Sequence, residues 1–175
     1  GAMGAGIAQV AAVRGHRVLL ADAFPAALDR ARDGHAKAMA REVEKGRLTR
    51  DAAEAVLARL TYVEGVTAAA LQAFEPCGLV IEAIIEDLAA KQALFRALEA
   101  ELAKDAVLAT NTSSLSVAAL AGACAHPERV VGIHFFNPAP VMPLVEIIPA
   151  ITTAPEVATQ ARALVDAWGK VTVVA

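Results

Sequence analysis

A hydroxyl, an imidazole and a carboxylate, each leaving an otherwise apolar stretch, are the groups in this chain best suited to moving a proton. Ser113 lies in Asn111-Thr112-Ser113-Ser114. His134 lies in Val130-Val131-Gly132-Ile133-His134-Phe135-Phe136-Asn137-Pro138, and Glu146 in Leu144-Val145-Glu146-Ile147-Ile148. A β-branched and aromatic run such as residues 130–136 is expected to be a buried strand. An unpaired imidazole buried there is costly, so His134 needs a partner, and Glu146 is the candidate. An imidazole, whose unperturbed form titrates near neutrality, is suited to taking up and returning a proton. A strand histidine beside a glutamate is also a common structural pair, and Ser114 could stand in for Ser113.

These groups have to be held by something, and the pattern around them supplies it. Apolar strands are expected at residues 17–22, 60–63, 79–83, 106–110, 130–136, 144–148 and 170–174. Helices are expected at 26–45, at 51–60, from 84 to about 104, in a short Ala-rich piece before residue 130, and at 155–168. Gly15-His16 and Gly46 read as helix stops. Such alternation implies an α/β fold with a mostly parallel sheet covered by helices, whose ligands bind outside the strand carboxyl ends. Asp22, Glu86 and Ser113 all fall at such ends. Glu86 and Asp87 would also suit the positive end of the helix expected to follow, so capping alone explains them. Pro138-Ala139-Pro140-Val141-Met142-Pro143 lacks the backbone donors of a helix or central strand and is expected to be a shaped loop.

At the start, Gly1-Ala2-Met3-Gly4-Ala5-Gly6 opens a helix as a dinucleotide-binding glycine turn does. Gly1 and Gly4 fit the second and third glycines of G-x-G-x-x-G, and the first glycine and its strand are not in the sequence. Gly1-Ala2-Met3 also reads as a remnant of cloning. Asp22, ending a short strand about 20 residues later, stands where a ribose 2′-hydroxyl is held; its charge favours NAD over NADP. The alternative for Asp22 is an N-cap of the helix beginning after Phe24-Pro25.

A chain of 175 residues fits one domain. Its net charge of −3, with no Lys/Arg block, gives no broad footprint for nucleic acid or an anionic membrane, and leaves room only for a local anion pocket. Cys77 and Cys124 lie far apart without ligand spacing; they read as small buried apolar residues in a reducing, cytoplasmic setting, with no metal expected. No apolar run is long enough to span a bilayer and no signal-peptide layout opens the chain, so a soluble protein is expected. His16, His35 and His126 read as surface residues, and Lys37, Arg41, Lys45 and Arg47 as a solvated face.

The sequence resembles the nucleotide-binding domain of the L-3-hydroxyacyl-CoA dehydrogenases, including bacterial 3-hydroxybutyryl-CoA and phenylacetate-pathway members. The resemblance rests on the glycine turn, Ile81-Glu82-Ala83-Ile84-Ile85-Glu86, Asn111-Thr112-Ser113-Ser114-Leu115, and the Gly132 to Met142 stretch with its downstream Glu146. It implies a Rossmann-like, doubly wound domain over residues 1–175, lacking its first strand and a C-terminal helical domain through which such enzymes pair as homodimers. It further implies that His134 is the base that takes the 3-hydroxyl proton while hydride passes to NAD, that Glu146 orients it, and that Ser113 holds the substrate oxygen. Cofactor contacts would be Gly1, Met3, Gly4, Asp22, Ala83, Glu86, Lys91 and Asn137, and Lys45 would meet the CoA phosphates. For Lys91 the alternative is a solvated lysine. The expected activity is interconversion of 3-hydroxyacyl-CoA and 3-ketoacyl-CoA in fatty acid or phenylacetate-type degradation. A non-catalytic nucleotide-binding module and a dehydrogenase of hydroxy acids without CoA are the competing readings.

Overall fold

Strands and helices alternate along the whole chain in the computed structural model, which describes residues Gly1–Ala175. The chain divides into two compact units, Gly1–Val66 and Thr67–Ala175.

The first unit contains α1 (Ala2–Val13), β1 (Val18–Asp22), α2 (Pro25–Glu44), α3 (Arg50–Ala58) and β2 (Leu60–Glu64). β1 and β2 run parallel, in register from Val18 opposite Leu60 to Asp22 opposite Glu64. Ala8, Ala12, Met39, Ala53, Val56 and Leu60 form its core, so alanine-rich helix faces meet with little side-chain bulk between them. Gly15 ends α1 at φ +94°, a conformation that L side chains rarely adopt. His35, expected at the surface, is instead 2% exposed. It continues the stripe of Ala27, Leu28, Ala31 and Met39 on the buried side of α2. Its Nε2 donates to the Ala5 carbonyl at 2.8 Å, and its Nδ1 meets the Tyr62 hydroxyl at 2.7 Å, so the buried ring is fully satisfied.

The second unit adds α4 (Ala68–Leu71), β3 (Leu79–Glu82), α5 (Leu88–Glu101), β4 (Val107–Thr110), α6 (Val117–Ala121), β5 (Val130–Phe135), β6 (Leu144–Pro149), α7 (Pro155–Ala167) and β7 (Val171–Val174), with 3-10 turns at Gln72–Phe74 and Pro127–Arg129. Its sheet has the order β3-β4-β5-β6-β7. All neighbours are parallel except β5 and β6, which the short proline loop joins as an antiparallel pair because it is too short for a crossover. The helix expected from residue 84 begins only at Leu88. Asp87 caps it, its Oδ1 accepting from the Ala90 N–H at 2.8 Å, and residues 84–87 form a loop. Cys77 and Cys124, expected to be buried, are half-buried free thiols. No helix is long and apolar enough to cross a membrane.

One close approach fixes the strand pair that carries the imidazole. A Cβ at Gly132 would lie 2.8 Å from Ile148 Cβ and 3.1 Å from Val117 Cγ2. Only glycine lets β5 meet β6 and α6 so tightly. With Gly132 opposite Ile148, the two-residue period puts His134 opposite Glu146.

Candidate functional site

Three adjacent parallel strands, β3, β4 and β5, end on one edge of the second unit's sheet. Residues 83–87 leave β3 there, residues 111–114 leave β4, and His134 closes in on the end of β5. His134 is 14% and Glu146 31% exposed at the side chain, with Nδ1 of the ring 2.8 Å from Glu146 Oε2. A carboxylate only accepts, so the Nδ1–H is the donor and the lone pair of the neutral ring resides on Nε2. Phe136 packs against the imidazole at 4.6 Å between ring centres and 55° between planes. The ring is thus held on one nitrogen and one face.

The loop after β4 is held by Glu86. Its Oε1 accepts from the Ser113 N–H at 3.0 Å, the Ser114 N–H at 3.2 Å and the Ser114 hydroxyl at 3.2 Å, and also bonds the Thr112 hydroxyl. Burial works against the charged form of Glu86. The Thr112 hydroxyl, the Ser113 amide, Lys91 and the Ser114 amide outweigh it and hold the carboxyl down at about 2. Glu86 therefore does not serve the helix terminus, as its sequence position suggests; Asp87 does that. Asn111 ties the same loop to the histidine strand, its Oδ1 accepting from the Phe135 N–H at 2.7 Å.

Lys91, for which the solvated alternative was open, is 1% exposed at the side chain. Its ammonium lies 2.5 Å from Glu82 Oε1 and 3.4 Å from Glu86 Oε2. Glu82 was not singled out from the sequence. Its carboxylate also accepts from the Ile84 N–H at 2.6 Å and the Thr110 hydroxyl at 2.8 Å. Ala83 is half-buried and follows β3 directly, whereas Asn137 is exposed at the start of the proline loop, before a cis peptide bond to Pro138. Lys170, also missed, donates to the Ala139 and Met142 carbonyls at 2.6 and 2.9 Å and so pins that loop.

In the first unit, Gly1, Met3 and Gly4 lie at the head of α1, which has no side-chain cap and no acidic residue in its first turn. Backbone N–H groups there are left for an anion such as a pyrophosphate. The terminal ammonium of Gly1 lies 2.5 Å from Asp22 Oδ2. Asp22 does not cap α2, whose N-cap is Phe24; its Oδ1 accepts from the Phe24 N–H at 3.0 Å in a local turn. An uncapped helix start beside a strand-end carboxylate fits a dinucleotide. Lys45 is exposed at the C-terminal end of α2.

Comparison with known proteins finds relatives along the whole chain. The model of the family described as 3-hydroxyacyl-CoA dehydrogenase, NAD binding domain, matches residues 1–175. The chain is 48% identical over 171 residues to the 3-hydroxyadipyl-CoA dehydrogenase of Escherichia coli strain K12, covering 97% of this chain and 35% of that protein. To the probable 3-hydroxybutyryl-CoA dehydrogenase of Bacillus subtilis strain 168 it is 39% identical over 173 residues, covering 99% of this chain and 58% of the relative. The crystal structure of an Escherichia coli K12 3-hydroxybutyryl-CoA dehydrogenase superposes with a TM-score of 0.94 at 46% identity, over 99% of this chain and 36% of that one. The chain thus spans roughly a third to three fifths of the length of these curated relatives.

Proposed function

Because the chain belongs to the 3-hydroxyacyl-CoA dehydrogenase family, as its NAD-binding domain, we propose that it supplies the cofactor site and the catalytic base of an oxidoreductase that interconverts L-3-hydroxyacyl-CoA and 3-ketoacyl-CoA. The observation that carries this reading is the His134 Nδ1 to Glu146 Oε2 bond of 2.8 Å, which leaves Nε2 as the basic nitrogen. NAD, when bound, supplies the hydride acceptor. His134 takes the 3-hydroxyl proton at Nε2 as the C3–H bond is broken, and in the reverse direction returns it to the ketone oxygen. Glu146 accepts from Nδ1–H, keeps the ring in one tautomer and orientation, and stabilises the imidazolium that forms. Ser113 holds the substrate oxygen. It suits this better than Ser114, whose hydroxyl is already given to Glu86.

For the cofactor, we assign the pyrophosphate to the head of α1 at Gly1, Met3 and Gly4, and the adenosine ribose to Asp22, whose charge disfavours a 2′-phosphate. Ala83, Glu86 and Asn137 flank the nicotinamide half, and Lys45 meets the CoA phosphates as a mobile point charge. Residues 1–175 act as one NAD-binding domain of a protein that works on acyl-CoA thioesters in fatty acid or phenylacetate-type degradation, in the cytoplasm and as a homodimer. The test is NADH oxidation by the full-length protein with acetoacetyl-CoA against free acetoacetate. Turnover of the thioester alone supports the assignment. Preference for the free acid points to a dehydrogenase without CoA, and NAD binding without any turnover to a non-catalytic module.

A further inference from the structure

We propose that Lys170 is a positioning residue for the nicotinamide half of the cofactor: it fixes the shape of the 137–143 loop and, through it, the place of Asn137. This rests on the assignment of Asn137 to that half of NAD. The loop joins β5 to β6 and so lies between His134 and Glu146 in the chain. Because β5 and β6 are antiparallel while β6 and β7 are parallel, β6 and β7 both begin on the edge at which β5 ends. Lys170, one residue before β7, stands on the same edge as the imidazole.

The sequence explains why this loop needs a donor from outside. Pro138, Pro140 and Pro143 each bring a carbonyl but no N–H, so acceptors outnumber amide donors from Asn137 to Pro143. The Val141 and Met142 amides are both given to the Pro138 carbonyl at 3.0 Å. Ala139 is 2% exposed, so its carbonyl is kept from water and must find a partner in the protein. The Lys170 ammonium supplies it at 2.6 Å and also donates to the Met142 carbonyl at 2.9 Å. The next residue, Val171, gives its N–H to the Pro143 carbonyl at 2.8 Å. Both ammonium bonds are charge-assisted and so roughly twice as strong as neutral ones. Apart from Ala139 the loop residues are exposed or half-buried, so little apolar packing would hold the turn in the cation's place. The His134–Glu146 pair does not depend on this tie, because the close approach at Gly132 sets its register. Lys170 therefore acts on the cofactor and leaves the base alone.

The experiment compares wild type with Lys170→Met and Lys170→Gln in the full-length protein. Three quantities are read: amide hydrogen exchange of the peptide carrying residues 137–143, the dissociation constants of NADH and of ADP by calorimetry, and kcat with acetoacetyl-CoA across pH. ADP lacks the nicotinamide and its ribose, so it reports on the rest of the cofactor site. In Lys170→Met, exchange of the Val141 and Met142 amides should rise about tenfold or more. NADH affinity should fall about fivefold with ADP affinity within about twofold of wild type, and kcat should fall about tenfold with the shape of its pH profile unchanged. Lys170→Gln keeps an uncharged donor on a side chain one bond shorter and should show the same losses to a smaller extent, so it serves if Lys170→Met does not fold. A lower Tm with NADH affinity and kcat unchanged would make Lys170 purely structural and overturn the proposal. NADH and ADP weakening together, or loop exchange unchanged, would overturn it too. A wild-type protein inert toward acetoacetyl-CoA defeats the dehydrogenase reading, whereas loop exchange and the comparison of NADH with ADP still decide the role of Lys170.

Discussion

Replacing Glu146 by glutamine removes a charge from the imidazole while keeping an acceptor of the same shape. The ring nitrogen and carboxylate oxygen are 2.8 Å apart. With charge centres about 4 Å apart and an effective dielectric near 20, a fully formed imidazolium–carboxylate pair is worth roughly 4 kcal/mol. His134 and Glu146 are 14% and 31% exposed, so solvent screens part of this and about 2–3 kcal/mol is expected to be lost from the proton-transfer transition state. That corresponds to a fall in kcat of roughly 30- to 150-fold. Glutamine can still accept from Nδ1–H, so Glu146→Ala, which also frees the ring to rotate, should be worse. The assay is NADH oxidation with acetoacetyl-CoA by the full-length protein, with NAD affinity measured alongside and expected to be unchanged. A kcat within about threefold of wild type for Glu146→Gln would refute the reasoning.

The Glu86 carboxyl is held at about 2 against an ordinary 4.5, so the folded state binds this proton less readily than the unfolded chain. Its contribution to stability is therefore complete above pH 4.5 and fades as pH falls toward 2, and Glu86→Gln should flatten that part of an acid-unfolding curve followed by circular dichroism. Gly132→Ala forces a Cβ to within 2.8 Å of Ile148 Cβ and should lower stability to urea by about 1–3 kcal/mol, while a cost below about 0.5 would mean the strands yield freely. Asp22→Ala should weaken NAD binding and narrow the preference over NADP, read as the ratio of the two dissociation constants.

The strand-borne imidazole and its partner were legible because each is the polar exception in an apolar run, and a buried polar group must be paired. A short proline loop between the runs then makes them antiparallel neighbours. The same rule marks Glu82, a carboxylate ending the apolar run Leu79-Val80-Ile81, as a group that must be paired, as it is with Lys91 and Thr110. Lys91 was open to a solvated reading because the helix was expected to start at residue 84, which turned Glu86 into a helix-end residue and hid the loop it holds. His35 was misplaced although its spacing from Ala31 and Met39 marks the buried stripe of α2. What no local pattern carries is the meeting of groups distant along the chain, such as Asn111 with the Phe135 amide or Lys170 with the Ala139 and Met142 carbonyls, since these depend on which strands become neighbours.

The central claim is that His134 is the base. In the full-length protein with acetoacetyl-CoA and NADH, His134→Gln should lower kcat by about 10²–10⁴ with NAD affinity unchanged. Turnover near that of the wild type would contradict it.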